Sequence, residues 1–502
     1  MKRIKIVVHN THFSVEVLDK TLNHFIDSIK GFLITYKFVY NRQKRKNIMV
    51  KDKGYYVEVK GKRFYRFTIN IVKDFIIYLG KYLKSKDEIE IVYDKEVNYK
   101  RLKLKFNPKI VLRDYQNQYV DILTDDESSS MLLVDLATGM GKTALSMYAV
   151  VKLDMVTAII ILPKYIEKWI DDVKKYTNVK DDEIYVVQGG DSLNKLLDMD
   201  NHDYKFIIFS MRTLYNYYRD YEENKPVILP PYEIAEKLNV GLVLNDEAHQ
   251  EFYTVFRSTL FWNVKKFISL SATLDSNQKS VKAIYNILYP KENRISNIIK
   301  YEPYIDVTAV EYLLNSTAGI QYKRAQGYSH ILYEQSLLLN YRLLKEYMDM
   351  INYYVKEGYI KRRKKGQKLL IFVASIKLAT ILTNYITELY PDLDVRRYVE
   401  DDPYENVINA DITISTVLSS GTAIDIPGLI TVINTISISS LQANVQAVGR
   451  LRKIKGVETR YYYLYSGSIK NQVKMHHDRH KAIKHMANRY NRDRYDKILS
   501  VR

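Results

Sequence analysis

Cysteine is missing from all 502 residues, so disulfides and thiolate-bound metals are excluded, while the redox compartment stays open. Nor is there an apolar run of the roughly 20 residues that a membrane span requires. The opening residues, Met1-Lys2-Arg3-Ile4-Lys5-Ile6, alternate like a strand and have no apolar core of the kind that marks a secretion signal. A protein of the cytoplasm, with no membrane partner, is the expectation.

What is present is globular in kind, with 46% hydrophobic and 27% charged residues, and the length has room for two to four domains. The net charge of +19 is unevenly spread. Residues 1–110 hold 26 Lys and Arg against 11 Asp and Glu, residues 451–502 hold 14 against 4, and the centre is left at −6. Basic ends on a mildly acidic middle suggest a polyanion gripped at the periphery, although lysine richness for solubility gives the same balance.

Periodicity divides the chain. Ile4 to His9 and Phe13 to Leu18 read as strands and Leu22 to Phe32 as a helix. The basic, aromatic stretch Gly54 to Phe67 reads as a hairpin about Gly61-Lys62, one face offering Lys60, Lys62, Arg63 and Arg66 to phosphates; an ordinary half-buried hairpin fits as well. Buried parallel strands follow at Met131 to Val134, Thr157 to Leu162, Phe206 to Ser210, Gly241 to Leu244 and Phe267 to Leu270. After a helical run from Leu337 to Val355 and an exposed basic loop at 361–366, a second set comprises Lys368 to Ala374, Asp411 to Ser415, Leu429 to Asn434 and Tyr461 to Tyr465, with a helix at Lys377 to Leu389. Residues 467–502 read as polar, basic helix, and His476, His477 and His480 lack the carboxylates of a metal site. The fold class is α/β: a small basic α+β domain at 1–105, two tandem α/β domains at 106–300 and 301–480, and a basic tail at 481–502.

Chemistry concentrates at residues 131–145. An apolar strand runs into Ala137-Thr138-Gly139-Met140-Gly141-Lys142-Thr143, and a helical pattern begins. Glycines let backbone N–H groups close on phosphate, Lys142 adds a point charge at the β and γ phosphates, and Thr143 offers a hydroxyl to Mg²⁺. Leu136 stands where the strict pattern has Gly. A second apolar strand ends in Asp246-Glu247-Ala248-His249. Acids at the C-terminal end of a parallel strand face the ligand crevice, Asp246 suited to a metal ion and Glu247 to deprotonating an attacking water.

In this order the motifs resemble those of the superfamily 2 helicases and translocases, over most of residues 112–453. The resemblance implies two tandem RecA-like domains, ATP and Mg²⁺ as cofactors, and nucleic-acid-stimulated hydrolysis. Leu112-Arg113-Asp114-Tyr115-Gln116 is similar to the adenine-reading element, which implies nucleotide roles for Arg113 and Gln116. Ile159 to Trp169, with Pro163 and Lys164, and Ser210-Met211-Arg212-Thr213-Leu214 resemble strand-contact motifs, implying nucleic-acid contacts at Pro163, Lys164, Ser210, Arg212 and Thr213. Ser271-Ala272-Thr273 resembles motif III. Leu369 to Ser375 and Ile414-Ser415-Thr416 resemble motifs IV and V, implying contacts at Ser375 and Thr416, while Gly421 to Pro427 adds Gly421 and Asp425 on the nucleotide side. Gln446-Ala447-Val448-Gly449-Arg450-Leu451-Arg452 resembles motif VI, with Gln446 and Arg452 as catalytic-side residues and Arg450 as arginine finger. The usual second arginine of that motif falls on Lys453 here, and a lysine cannot make the planar fork.

Within the superfamily, Lys5 to Val17 and Asn340-Tyr341-Arg342 resemble UvsW-type branch-migration helicases of phages. That implies work on single-stranded or branched DNA in recombination, replication and repair, by a monomer. An RNA helicase, a duplex translocase of a restriction or remodelling system, and a non-enzymatic binding module are the competing readings.

Overall fold

The computed structural model describes residues 2–501 apart from 42–45, 60–63, 137–139, 249, 272–278, 297–301, 325–326, 400–401, 417–425 and 455. It divides into two compact units, Met1–Ile299 and Lys300–Arg502.

The first unit holds two principal sheets. In β1 (Ile4–Val8) the residues Ile4, Ile6 and Val8 are buried while Lys5 and Val7 are half-exposed, the period-two pattern of a strand covered on one face. It joins β2 (His12–Val17), β5 (Val57–Val59), β6 (Phe64–Thr68) and β7 (Ile89–Tyr93) in the order β5-β6-β2-β1-β7. The helices Asn23–Phe32 and Val72–Leu79 cover it, with Phe75 packed edge-on against both Phe13 and Phe25 at 5.0 Å between ring centres. Two further strands, β3 (Ile34–Asn41) and β4 (Lys46–Gly54), pair only with each other among the described residues.

The expected hairpin forms between β5 and β6, with Val57 opposite Arg66. Its face does not meet solvent phosphates at Arg66, however. The guanidinium is half-buried, donating to the carbonyls of Leu260 at 3.2 Å and Phe261 at 3.3 Å and lying over the Tyr232 ring at 4.9 Å. Buried carbonyls at a helix end need donors, and a long cationic side chain from the neighbouring sheet meets that need. Lys60, Lys62 and Arg63 lie outside the described residues. Thr11 donates to the Trp262 carbonyl at 2.7 Å, so the small sheet and the α/β sheet share one continuous core.

The α/β sheet of this unit is all parallel. Its strands are β8 (Met131–Asp135), β9 (Thr157–Ile161), β10 (Ile184–Val187), β11 (Phe206–Ser210), β12 (Leu242–Asp246), β13 (Lys266–Ser271) and β14 (Arg294–Ile295). They lie in the order β10-β11-β9-β12-β13-β8-β14. The continuous apolar runs are buried on both faces, which is why they show no alternation.

The second unit repeats the plan. Strands β15 (Ile305–Leu314), β18 (Lys368–Val373), β19 (Val395–Tyr398), β20 (Ile412–Thr416), β21 (Leu429–Asn434), β22 (Thr459–Ser466) and β23 (Ala487–Leu499) run parallel in the order β19-β20-β18-β21-β22-β15-β23, and β16 (Lys323–Arg324) and β17 (Gly327–Tyr328) form a separate pair. The two units thus contain two parallel-sheet α/β domains, with an N-terminal α+β region in the first.

Two expectations need revision here. The helical run ending at Val355 is two helices, His330–Leu338 and Tyr341–Val355, and Asn340 caps the second by accepting from the Leu343 N–H at 3.0 Å. Residues 467–502 are α-helical over Lys470–Ile483 and continue as a 3-10 turn over Lys484–Met486; β23 follows, paired with β15 along the sheet edge. That strand is largely exposed, so its residues carry no apolar rhythm to betray it, and only the backbone of β15 defines it.

Candidate functional site

The functional side chains of the first unit cluster at the C-terminal ends of its parallel strands. Register brings them level: Asp135 pairs with Ser271, and Asp246 with Leu270. Lys142 begins the helix Lys142–Leu153, and Gly141 before it adopts φ +77°, a conformation that costs glycine little. The Lys142 ammonium donates to the Leu136 carbonyl at 2.9 Å. Because the backbone of Leu136 makes that bond, leucine serves where the strict pattern has glycine. The Leu136 N–H in turn donates to the Ser271 carbonyl at 3.3 Å, tying the start of the phosphate loop to the motif III strand. Thr143 is the next residue of the helix; Thr138 and Gly139 lie outside the described residues.

Gln116 is bonded to the loop itself. It is buried on the helix Asp114–Thr124, and its amide nitrogen donates to the carbonyls of Gly141 at 3.1 Å and Met140 at 3.4 Å, while its oxygen accepts from the Arg113 N–H at 2.8 Å. Tyr115 adds a bond to the Met140 carbonyl at 2.7 Å and receives one from the Arg113 guanidinium at 3.1 Å. Arg113, Tyr115 and Gln116 therefore brace the phosphate loop from below.

Asp246 is buried at the end of β12, where it accepts from the Trp169 indole N–H at 3.2 Å and from the Glu247 N–H at 2.9 Å. Burial, reinforced by the charge of Glu247, raises its pKa, while Lys168 and Lys142 pull the other way. Asp135 is raised by burial as well. A buried carboxylate at a strand end is relieved by a hard divalent cation, so Asp246 with Thr143 would fit Mg²⁺. Glu247 holds φ +53°, a left-handed conformation unusual for a side-chain-bearing residue, and such strain collects at functional positions. Trp169, at the end of the first strand-contact motif, is fully buried and orients Asp246.

A second cluster lies along the helix Met211–Glu222. Pro163, Ser210, Arg212 and Thr213 line one cavity of about 360 Å³, together with Gln188-Gly189-Gly190. Thr213 accepts from the Gly189 N–H at 2.8 Å, and Gly189, at φ +100°, precedes the helix Gly190–Leu197. Backbone amides at a helix start beside an arginine suit an anion such as a phosphodiester. Sequence reasoning passed over Gly189-Gly190, although paired glycines before a helical run were the available signal. Lys164 is exposed on the single turn Pro163–Tyr165, its ammonium 4.9 Å from the centre of the Tyr165 ring, and does not line that cavity.

In the second unit Thr416 pairs with Val373 across β20 and β18, and Ser375 follows two residues later, so both stand at the same end of the sheet. Ser375 caps the helix Ile376–Leu389. Its N–H and that of Ala374 donate to the fully buried Glu334 carboxylate at 2.7 and 2.6 Å. Glu334 was not picked out from sequence; one acid in an apolar helix gives no clue to a partner some 40 residues away.

Gln446 sits on the helix Leu441–Val448, and Gly449 ends it. Arg450 beyond is buried. Arg452 folds back onto the Gly449 carbonyl, and Lys453 pairs at the surface with Glu302 at 3.2 Å. Arg479, also unforeseen, fixes this turn by donating to Asn444 at 2.6 Å and to the Ile436 carbonyl. Gly421 and Asp425 lie outside the described residues. Among the described residues no helix is long and apolar enough to cross a membrane.

Residues 109–276 match the family model described as type III restriction enzyme, res subunit. No curated protein sequence matches the chain. Among solved structures, the chain is similar to S. cerevisiae Dbp5 bound to RNA and ADP BeF3, at 13% identity and TM-score 0.48, covering 76% of this chain and 90% of that one. The helicase domain of Pyrococcus furiosus Hef aligns at 15% identity and TM-score 0.42, over 73% of this chain and 98% of that one. T4 UvsW aligns over 100% of both chains at 14% identity and TM-score 0.35.

Proposed function

We propose that this chain is a superfamily 2 helicase with nucleic-acid-dependent ATPase activity, and that it works as a DNA motor that remodels branched structures. The observation that carries the ATPase half is one arrangement: Lys142 at the helix start after β8, with Asp246 at the end of β12 in the same sheet and the strained Glu247 just beyond it.

ATP would lie on the backbone around Gly141, its phosphates met by Lys142, and Arg113, Tyr115 and Gln116 would hold that loop in shape. Mg²⁺, held by Thr143 and Asp246, would supply charge neutralisation at the phosphates. Glu247 would take the proton from the attacking water. Its neighbour Asp246 is kept in place by Trp169. Arg450 is proposed as the arginine finger, a role that contributes roughly 10³ to 10⁵ in rate. Gln446 and Arg452 would assist on the same turn, and Gly421 and Asp425 would complete the nucleotide contacts.

The nucleic-acid strand would follow the cavity of Pro163, Ser210, Arg212 and Thr213, with Lys164, Ser375 and Thr416 as further contacts. These contacts suit a sugar-phosphate backbone, so binding would be weakly sequence-selective and sensitive to salt. The basic N-terminal region, residues 1–105, would hold a further arm of the substrate, which favours junctions and forks over plain strands.

The test is ATP turnover and strand exchange with single-stranded DNA, a fork, a four-way junction and RNA. Turnover should be highest with forks and junctions, and branch migration should be seen. Preference for RNA would replace the DNA reading with an RNA helicase. Lys142→Ala should abolish turnover while DNA affinity stays within about twofold; normal turnover would remove the phosphate-loop assignment.

A further inference from the structure

The β3–β4 hairpin is built unlike the rest of the molecule. It pairs with no other strand among the described residues, and a two-stranded ribbon is at best marginally stable without packing. Its root is firmly held. Thr35 and Leu33 are buried, the Tyr55 N–H donates to the Leu33 carbonyl at 2.8 Å, and the Tyr55 ring packs edge-on against Phe256 and Tyr253. Beyond that root the strand alternation puts Tyr36, Phe38 and Tyr40 on one face, with Met49 opposite Phe38 and Lys51 opposite Tyr36. That face is open: Tyr36 is 47% exposed, Phe38 73%, Tyr40 59% and Met49 62%. Three consecutive outward positions filled by rings form a contiguous apolar stripe, which a folded chain keeps exposed chiefly for binding. Successive rings on such a face stand about 6.8 Å apart.

Charge and position identify the occupant. The two strands carry four lysines, Lys37, Lys46, Lys51 and Lys53, against the single acid Asp52. An apolar protein surface gains little from that excess, whereas a nucleic acid offers both flat apolar base faces and phosphates. The root also borders the helix Met211–Glu222: Lys37, Asp52 and Lys53 line a cavity of about 280 Å³ with Tyr215 and Arg219 of that helix. The N-terminal turn of the same helix carries Arg212 and Thr213 of the backbone-binding cavity. One helix therefore runs from the phosphate contacts to the foot of the hairpin.

We propose that the β3–β4 hairpin is a base-stacking element: Tyr36, Phe38 and Tyr40 receive the faces of unpaired bases where a DNA strand leaves a duplex at a branch. The inference rests on the reading above only in taking nucleic acid as the substrate. It assigns to the hairpin the discrimination between branched or gapped DNA and flush duplex.

The experiment uses the full chain and its Tyr36→Ala/Phe38→Ala/Tyr40→Ala variant, whose altered side chains are exposed and leave the core untouched. Binding is measured to a fork with unpaired bases, to the same fork with abasic sites at those positions, and to flush duplex. Base–aromatic stacking predicts that the variant loses at least about tenfold in affinity for the fork. Its affinity for flush duplex should stay within about twofold. Abasic sites should weaken the wild-type protein as much as the triple substitution does and weaken the variant no further, the signature of one shared interaction. A variant that binds the fork like the wild type would overturn the proposal. So would equal losses on fork and flush duplex, or a wild-type dimer that the substitution dissolves, which would make the stripe a surface for a second copy. A wild-type protein that binds none of these DNAs would instead overturn the DNA reading itself.

Discussion

Glu334 gives the sharpest test of how the second unit is held together. Its carboxylate is fully buried, accepts the N–H groups of Ala374 and Ser375, and has its pKa pushed up to about 7 by desolvation. His330 lies 3.8 Å away on the same helix and is itself kept neutral, its pKa pushed down to about 3 by burial and by the charge of Arg479; Tyr328, Tyr333 and Tyr347 are further titratable groups around the pair. For an acid with a raised pKa, both states are protonated below about 4.5, and only the unfolded state gives up its proton between there and about 7. Stability from this group is thus greatest in acid and declines as pH rises, by about 3 kcal/mol in all, and levels off above pH 7. The neutral histidines act in the opposite sense: they favour the folded state above their unfolded pKa and disfavour it as pH falls. The informative quantity is therefore the difference between wild type and Glu334→Gln. Glutamine keeps one acceptor oxygen and sets an NH₂ against the other N–H, so the variant should be less stable at pH 5 by about 1–3 kcal/mol. The gap should narrow by up to about 3 kcal/mol by pH 8. Both tryptophans, Trp169 and Trp262, lie in the first unit. Denaturation followed by far-ultraviolet circular dichroism should show the effect, while the tryptophan fluorescence transition should not. A wild-type-minus-variant difference that stays flat from pH 5 to pH 8 would refute the reasoning.

Three further outcomes are expected. Gln116→Ala removes both donor bonds beneath Met140 and Gly141; at about 1 kcal/mol per bond, KM for ATP should rise about tenfold or more with DNA affinity unchanged, and an unaltered KM in steady-state turnover would remove the bracing role. Arg66→Met strips the Leu260 and Phe261 carbonyls of their donor, so the tryptophan-monitored transition should lose about 2–4 kcal/mol; the slope of log affinity against log salt should not change, since no phosphate contact is lost. Glu247→Gln should retain ATP on filter binding and lose at least about a hundredfold in turnover, because general-base assistance contributes about 10² to 10⁴.

Much of the site was legible because its parts are local. The phosphate loop, the Asp246-Glu247 strand end and the Gln446 to Arg452 stretch each place their chemistry within a few residues of an apolar run, and the parallel strands announced themselves by unbroken hydrophobicity. The edge strand β23 was not legible, since solvent on its side chains erases the period that sequence reading depends on. Arg66 was left between two readings for a related reason: alternation tells which residues share a face, and not what that face meets.

The sequence by itself determined the α/β class, the order of the motifs and the residue types placed at the strand ends. These follow from short-range rules, in which backbone conformation and burial pattern are set by neighbours in the chain. Only the tertiary structure decided that Gln116 turns inward to the loop, that Trp169 lies beneath Asp246, that Glu334 holds the turn at Ser375, and that Arg66 joins the N-terminal sheet to the helix Phe252–Phe261. Each is a hydrogen bond between segments distant in sequence. A polar side chain shows its capacity to bond in the sequence, but its partner exists only once the chain has folded around it.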